Sequence, residues 1–161
     1  MTATTSSSVR LKKVLVPTDF SDCSAKAVQY AISFASQFNA KLYVAHVVNA
    51  YTEGAVYGEV YFPVYEEEFV KSSDKMLQRL KDEEVPNDVS VELITRSGNP
   101  VVEVCELAKK EDVDLIVIST HGYTGVRHLL LGSVAENLVR HAPCPVLVVR
   151  ENEHEFIESR S

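Results

Sequence analysis

The chain has 161 residues, 45% of them hydrophobic and 24% charged, with a formal net charge of −7. That length fits one domain burying about two thirds of its unfolded surface, and the acidic balance excludes a general affinity for nucleic acid or an anionic membrane. No apolar run reaches the length of a membrane span, and "MTATTSSSVRLKK" lacks the apolar stretch of a secretory leader, so a cytoplasmic location is expected. Cys23, Cys105 and Cys144 are far apart with no CxxC spacing, which suits reduced thiols and speaks against a zinc site.

The segment "KKVLVPTDF" predicts a strand over 13–18. "SDCSAKAVQYAISFASQF" predicts a helix with Ser21 as N-cap and Ala27, Tyr30, Ala31, Phe34 and Phe38 on its apolar side. A second strand follows in "KLYVAHVV". The second helix, "VYEEEFVKSSDKMLQRLKDEEV", places Tyr65, Phe69, Met76, Leu77 and Leu80 on one side, with Glu66 to Glu68 suiting its N-terminus. "VSVELIT" is a third strand. "NPVVEVCELAKKE" is a third helix, capped by Asn99 with Pro100 at its first position. "DLIVIS" is a fourth strand, "SVAENLVRHA" a fourth helix stopped by Pro143, and "CPVLVVR" a fifth strand. Residues 1–9 and 151–161 are polar and expected to fray, leaving 10–150 as one domain.

Five strands alternating with four helices predict an α/β fold, a mostly parallel sheet with helices on both faces. Val14-Leu15-Val16 and residues 115–118 are continuously apolar, as strands covered on both faces must be. Val89, Val91 and Leu93 alternate with Ser90 and Glu92, so the third strand belongs at an edge. The last strand is continuously apolar over 146–149, a pairing hazard unless a second copy or the C-terminal tail covers it.

The loop "STHGYTGVRHLLLGS", residues 119–133, leaves the carboxyl end of the fourth strand, and "PTDFS" leaves that of the first. If those two strands are neighbours, with the second and third beyond the first and the fifth beyond the fourth, the strand order reverses between the loops. That is where open α/β sheets bind ligands. Gly122 and Gly132 can let backbone amides approach phosphate oxygens, and Gly132-Ser133 opens a helix whose N-terminus favours an anion. The Ser133 hydroxyl, Arg127 and His128 add donors. Asp19 can accept from ribose hydroxyls or hold magnesium. Other readings stand beside these. Ser133 and Glu136 form a capping-box pattern that can satisfy the helix by itself. Leu130, Val134 and Leu138 allow one helix to run through Gly132. Gly122 and Gly125 can be turn residues, and Asp19 a turn or cap. The loop is neither a Walker A motif nor GxGxxG, and no GxSxG elbow is present.

"VLVPTDFS", "HVV" and "STHGYTGVRHLLLGSVAENLVRHAPCPVLVV" together resemble the universal stress protein family, over roughly residues 12–150. The resemblance implies a five-stranded sheet of order 3-2-1-4-5, a Rossmann-like sandwich of the adenine nucleotide α-hydrolase kind, dimeric through the last strand, 145–150. Some members bind ATP, AMP or another adenine nucleotide through Gly, two residues, Gly, nine residues, Gly, then Ser or Thr. Gly122, Gly132 and Ser133 match, whereas Ser119 stands at the first glycine. By the same resemblance Pro17, Thr18 and Asp19 line the adenosine side, Val47 meets the adenine edge and Ile118 lies beneath the ring. The Ser133 and Val134 amides meet the phosphates, with His121, Arg127 and His128 as further loop contacts and magnesium or manganese as the accompanying ion.

His46 and His121 can be paired with Asp19 as catalytic groups, but a histidine ending a buried strand more often makes a structural hydrogen bond. His141 and Cys144 have a ligand-like spacing, although a histidine in a last helical turn serves the dipole. Residues 49–65, with four tyrosines and Phe62, form either a lid or partner surface, or a cover for the second helix. The leading expectation is a stress-response regulator that binds an adenine nucleotide and signals by occupancy, not turnover. Its alternatives are a dimeric interaction module without nucleotide and a slow ATPase.

Overall fold

The carboxyl ends of β1 (Lys13–Pro17) and β4 (Leu115–Ser119) emerge side by side from the middle of a five-stranded parallel sheet. The computed structural model describes residues 8–49, 63–120 and 131–157. The remaining elements are α1 (Asp22–Phe38), β2 (Lys41–Val48), α2 (Pro63–Glu84), β3 (Val91–Ser97), α3 (Pro100–Glu111), α4 (Ser133–His141) and β5 (Val146–Val149). The strand order is β3-β2-β1-β4-β5, as expected, and every pairing is parallel.

This order decides where the helices go. The chain steps outward from β1 to β2 to β3, then jumps back across β1 to β4 and β5. Crossovers that all keep one hand must therefore change face at the jump. Two apolar clusters reflect this. One packs Val14, Val16, Leu42, Val44 and Val117 against Ala27, Ala31 and Ala35 of α1 and Leu77 of α2. The other packs Leu15, Tyr43, Ile116 and Ile118 against Val104 and Leu107 of α3 and Ala135 and Leu138 of α4. Adjacent residues of a strand thus serve opposite layers, which is why Val14, Leu15 and Val16 are all apolar and all buried.

Local chemistry fixes the ends. Ser21 is in extended backbone and its side chain accepts from the Ser24 amide, capping α1. Asn39 in left-handed backbone closes the same helix, and Asp112 does so for α3. At the opposite end of the sheet from the loops, Asp114 Oδ2 accepts from the Lys12 and Lys13 amides at 2.7 and 2.9 Å, pinning the start of β1 to β4.

Three expectations need correction. Met76 is 44% exposed, while Leu77 is buried. The buried stripe of α2 runs through Ser73 and Leu77, spaced four apart, with half-buried Phe69 and Leu80 continuing it, and Met76 lies one residue, or about 100°, off it. Ser73 fits there because its hydroxyl donates to the Phe69 carbonyl at 2.8 Å. Tyr65 lies outside the residues whose side chains are described. Second, residues 151–157 lie against α1 and make contacts there. Lys26 Nζ meets Glu155 Oε1 at 2.8 Å, and the Phe156 ring lies edge-on to Tyr30, with centroids 5.1 Å apart. The third concerns α4 and belongs to the site.

Candidate functional site

The loop after β1 is built from hydroxyls. The Thr18 amide continues the ladder to the Ala45 carbonyl at 2.8 Å. Its hydroxyl, buried, shares a hydrogen bond with Ser24 at 3.0 Å and accepts from the Phe20 amide at 3.0 Å. Asp19 Oδ1 accepts from the Ser21 amide at 3.1 Å and from its hydroxyl at 2.6 Å, so this carboxylate oxygen fastens the turn into α1. Phe20 has φ +63°, a left-handed backbone that costs an aromatic residue on the order of 1 kcal/mol. The Thr18 hydroxyl and the His46 ring, whose centroid is 4.7 Å from that of Phe20, hold it there.

His46 Nδ1 lies 2.7 Å from the Thr18 carbonyl oxygen. A carbonyl only accepts, so the proton sits on Nδ1 and His46 donates. The structural role expected for this residue is observed. Burial raises the thiols of Cys105 and Cys144, the opposite of what an activated thiolate nucleophile requires.

Across the crevice, Ser119 ends β4 in register with Val149 of β5 and is 8% exposed. Thr120, also buried, donates its amide to the Val149 carbonyl at 3.0 Å and accepts from the Gly132 amide at 2.7 Å. Two main-chain bonds at one residue therefore set where α4 begins. Gly132 is the N-cap, in extended backbone with φ −70° and ψ 156°, and no side chain caps the helix. This overturns both the capping box and the continuous helix. Ser133 is the first helical residue, not the cap, and Glu136 turns outward to Arg140 at 3.0 Å. The Ser133 carbonyl accepts from Asn137 at 2.8 Å. Ser133 itself is exposed at the helix entrance, with Val134 half-buried beside it.

The expected residues thus fall into three groups at the carboxyl end of the sheet. Pro17, Thr18 and Asp19 follow β1. Ile118 and Ser119 end β4, and Gly132, Ser133 and Val134 open α4. Val47 of β2, Ile118 and Val134 share the apolar cluster on the α3 and α4 face. His121, Gly122, Arg127 and His128 lie outside the described residues, as does most of the 49–65 segment. Sequence reasoning missed Thr120 and Phe20. Thr120 was visible only as one more hydroxyl in "ISTHG", and nothing in "TDFS" announces a left-handed phenylalanine. Among the described residues, no three His, Cys, Asp or Glu side chains gather as a metal site, and no helix is long and apolar enough to cross a membrane.

Comparisons with known proteins agree with this fold. The universal stress protein family matches residues 10–150. A universal stress protein of Methanocaldococcus jannaschii is 35% identical over 144 residues, covering 89% of this chain and 85% of its own. The solved universal stress protein UspA of Lactobacillus plantarum superposes with a TM-score of 0.72 at 26% identity, over 89% of this chain and all of that one. A universal stress protein solved in complex with cAMP superposes with a TM-score of 0.61 at 30% identity, over 88% of this chain and 98% of that one. The chain belongs to the universal stress protein family.

Proposed function

We infer that the chain binds an adenine nucleotide in the crevice between the β1 loop and the start of α4, and that it acts in the cytoplasm as a stress-response regulator through occupancy of that site. One observation carries this reading. The backbone at Gly132 is open to any residue, since φ is −70°, yet the position holds glycine where Ser, Asp or Asn would cap the helix better. A residue without a side chain leaves the Ser133 and Val134 amides and the positive end of the helix for a phosphate. The related protein bound to cAMP supports the choice of an adenine nucleotide.

In this reading Pro17, Thr18 and Asp19 face the nucleoside, and Asp19 meets the ribose or a magnesium or manganese ion on the phosphates. Val47 and Ile118 supply the apolar bed for the base. Gly122, Ser119 and the donors His121, Arg127 and His128 complete the phosphate side. Turnover is not part of the proposal, because His46 is tied to a main-chain carbonyl and the half-buried thiols of Cys105 and Cys144 are raised. The half-buried apolar residues Val146, Leu147 and Val148 of the edge strand β5 pair with a second copy, giving a homodimer.

Extraction of the purified protein followed by chromatography, with calorimetric titration of ATP, AMP and cAMP, tests the reading. A co-purified adenine nucleotide, or heat saturating at one site per chain, is the expected result. Neither nucleotide nor heat would reduce the chain to a dimeric interaction module.

A further inference from the structure

Residues 151–157 run back from the carboxyl end of β5 onto α1. Lys26 is the anchor. Its Nζ donates to the Glu151 carbonyl at 3.0 Å and pairs with Glu155 at 2.8 Å, and its own side chain is largely buried. Donating to the Glu155 carboxylate raises the pKa of the Lys26 ammonium, and the Tyr30 phenol lies close enough to act on it as well. One turn further along α1, Tyr30 and Phe34 form an aromatic face on which Phe156 sits, at centroid distances of 5.1 and 6.5 Å. Phe38 extends that face, 6.4 Å from Phe34. Ile157 packs against the same cluster. The spacing is that of a helix face, with Lys26, Tyr30 and Phe34 each four apart.

The seat is built for more than this tail supplies. Phe156 remains 65% exposed although its partner Tyr30 is 1% exposed. The buried Tyr30 hydroxyl has no hydrogen-bond partner among the described residues. An ion pair whose carboxylate is half exposed holds weakly, and a ring left 65% exposed adds little, so a better-fitting segment that also replaces the Glu151 carbonyl and Ile157 contacts displaces the tail.

We propose that the Lys26–Tyr30–Phe34 face of α1 is a docking groove for a short acidic segment of a partner protein carrying a glutamate next to an aromatic residue, and that residues 151–157 are its built-in competitor. The tail shows what chemistry fits: a carboxylate on Lys26, a main-chain carbonyl beside it and a ring on Tyr30. A partner segment that buries its ring more fully, and offers an acceptor to the Tyr30 hydroxyl, displaces it. This inference does not rest on nucleotide binding.

The test uses full-length chain carrying E155A and F156A, which opens the groove, and a fluorescent peptide of residues 150–157 as the probe. Polarisation should show the peptide binding the opened chain roughly tenfold tighter than the wild type. Adding Lys26→Glu should remove that binding. Equal affinity for both chains, or none for the opened chain, would overturn the proposal. If the double variant does not fold, tryptic cleavage of the wild type after Arg150 replaces it: free peptide should speed the cut, and no change would count against the groove. Wild-type dimers that dissociate with Phe156→Ala alone would also overturn it, because the groove would then hold a second copy's tail.

Discussion

The N-termini of α3 and α4 both follow the carboxyl ends of strands of one sheet, α3 the edge strand β3 and α4 the interior strand β4, yet they are finished in opposite ways. At α3, the Asn99 side chain accepts from the Val101 and Val102 amides at 3.0 and 3.3 Å, and Pro100 removes one donor outright. Gly98 takes φ +142° just before it, so the chain turns sharply and closes. At α4, Gly132 has ordinary extended backbone and no side-chain cap. The first helix end has satisfied itself. The second leaves its dipole and first amides to an outside acceptor, and it does so at the reversal of strand order. A glycine required by conformation and a glycine not required by it mean different things.

Substitutions at the two helix ends should separate ligand binding from stability. Gly132→Val should weaken ATP binding by roughly 100-fold, about 2.7 kcal/mol, by placing a branched side chain over the amides. Calorimetry should find this, with stability lowered by about 1 kcal/mol because valine is a poorer N-cap than glycine. Gly98→Ala should lower stability alone. An L-residue at φ +142°, with its Cβ 3.0 Å from Glu103 Oε1, is strained by about 2 kcal/mol. Urea unfolding should report that loss while ATP affinity holds. Asn99→Ala should cost about 1 kcal/mol of stability, again without effect on ligand. Gly132→Asp should give the smallest shift in stability, a gain of about 0.5 kcal/mol from a new cap. It should still lower ATP affinity, because the carboxylate takes the phosphate's place. A more stable chain that binds ATP less well is the signature of a helix end kept open.

Much of this was legible in the residues. The "NP" before an apolar-periodic run announced the closed end of α3. Alternation at Ser90 and Glu92 placed β3 at an edge, and the continuous apolarity of β1 and β4 placed them inside. The two loops of the candidate site followed from that order. What failed did so for physical reasons. "GSVAE" reads equally as a Ser133 cap or a Gly132 cap, and the bonds at Thr120 decide it, one of them a tertiary contact with β5. Met76 and Leu77 differ by one residue of helix phase, which only packing selects. The strain at Phe20 exists because Thr18 and His46 hold it, 28 residues apart in the case of the Thr18–His46 bond. The tail read as polar because its partner, Lys26, lies 125 residues from Glu151.

The central claim is that the first amides of α4 receive a phosphate. Nuclear magnetic resonance of the 15N-labelled chain during titration with ATP and magnesium tests it most directly. The Ser133 and Val134 amide signals should move most, while those of Val101 and Val102, already bonded to Asn99, stay in place. Saturation with ATP that leaves Ser133 and Val134 unmoved would contradict it.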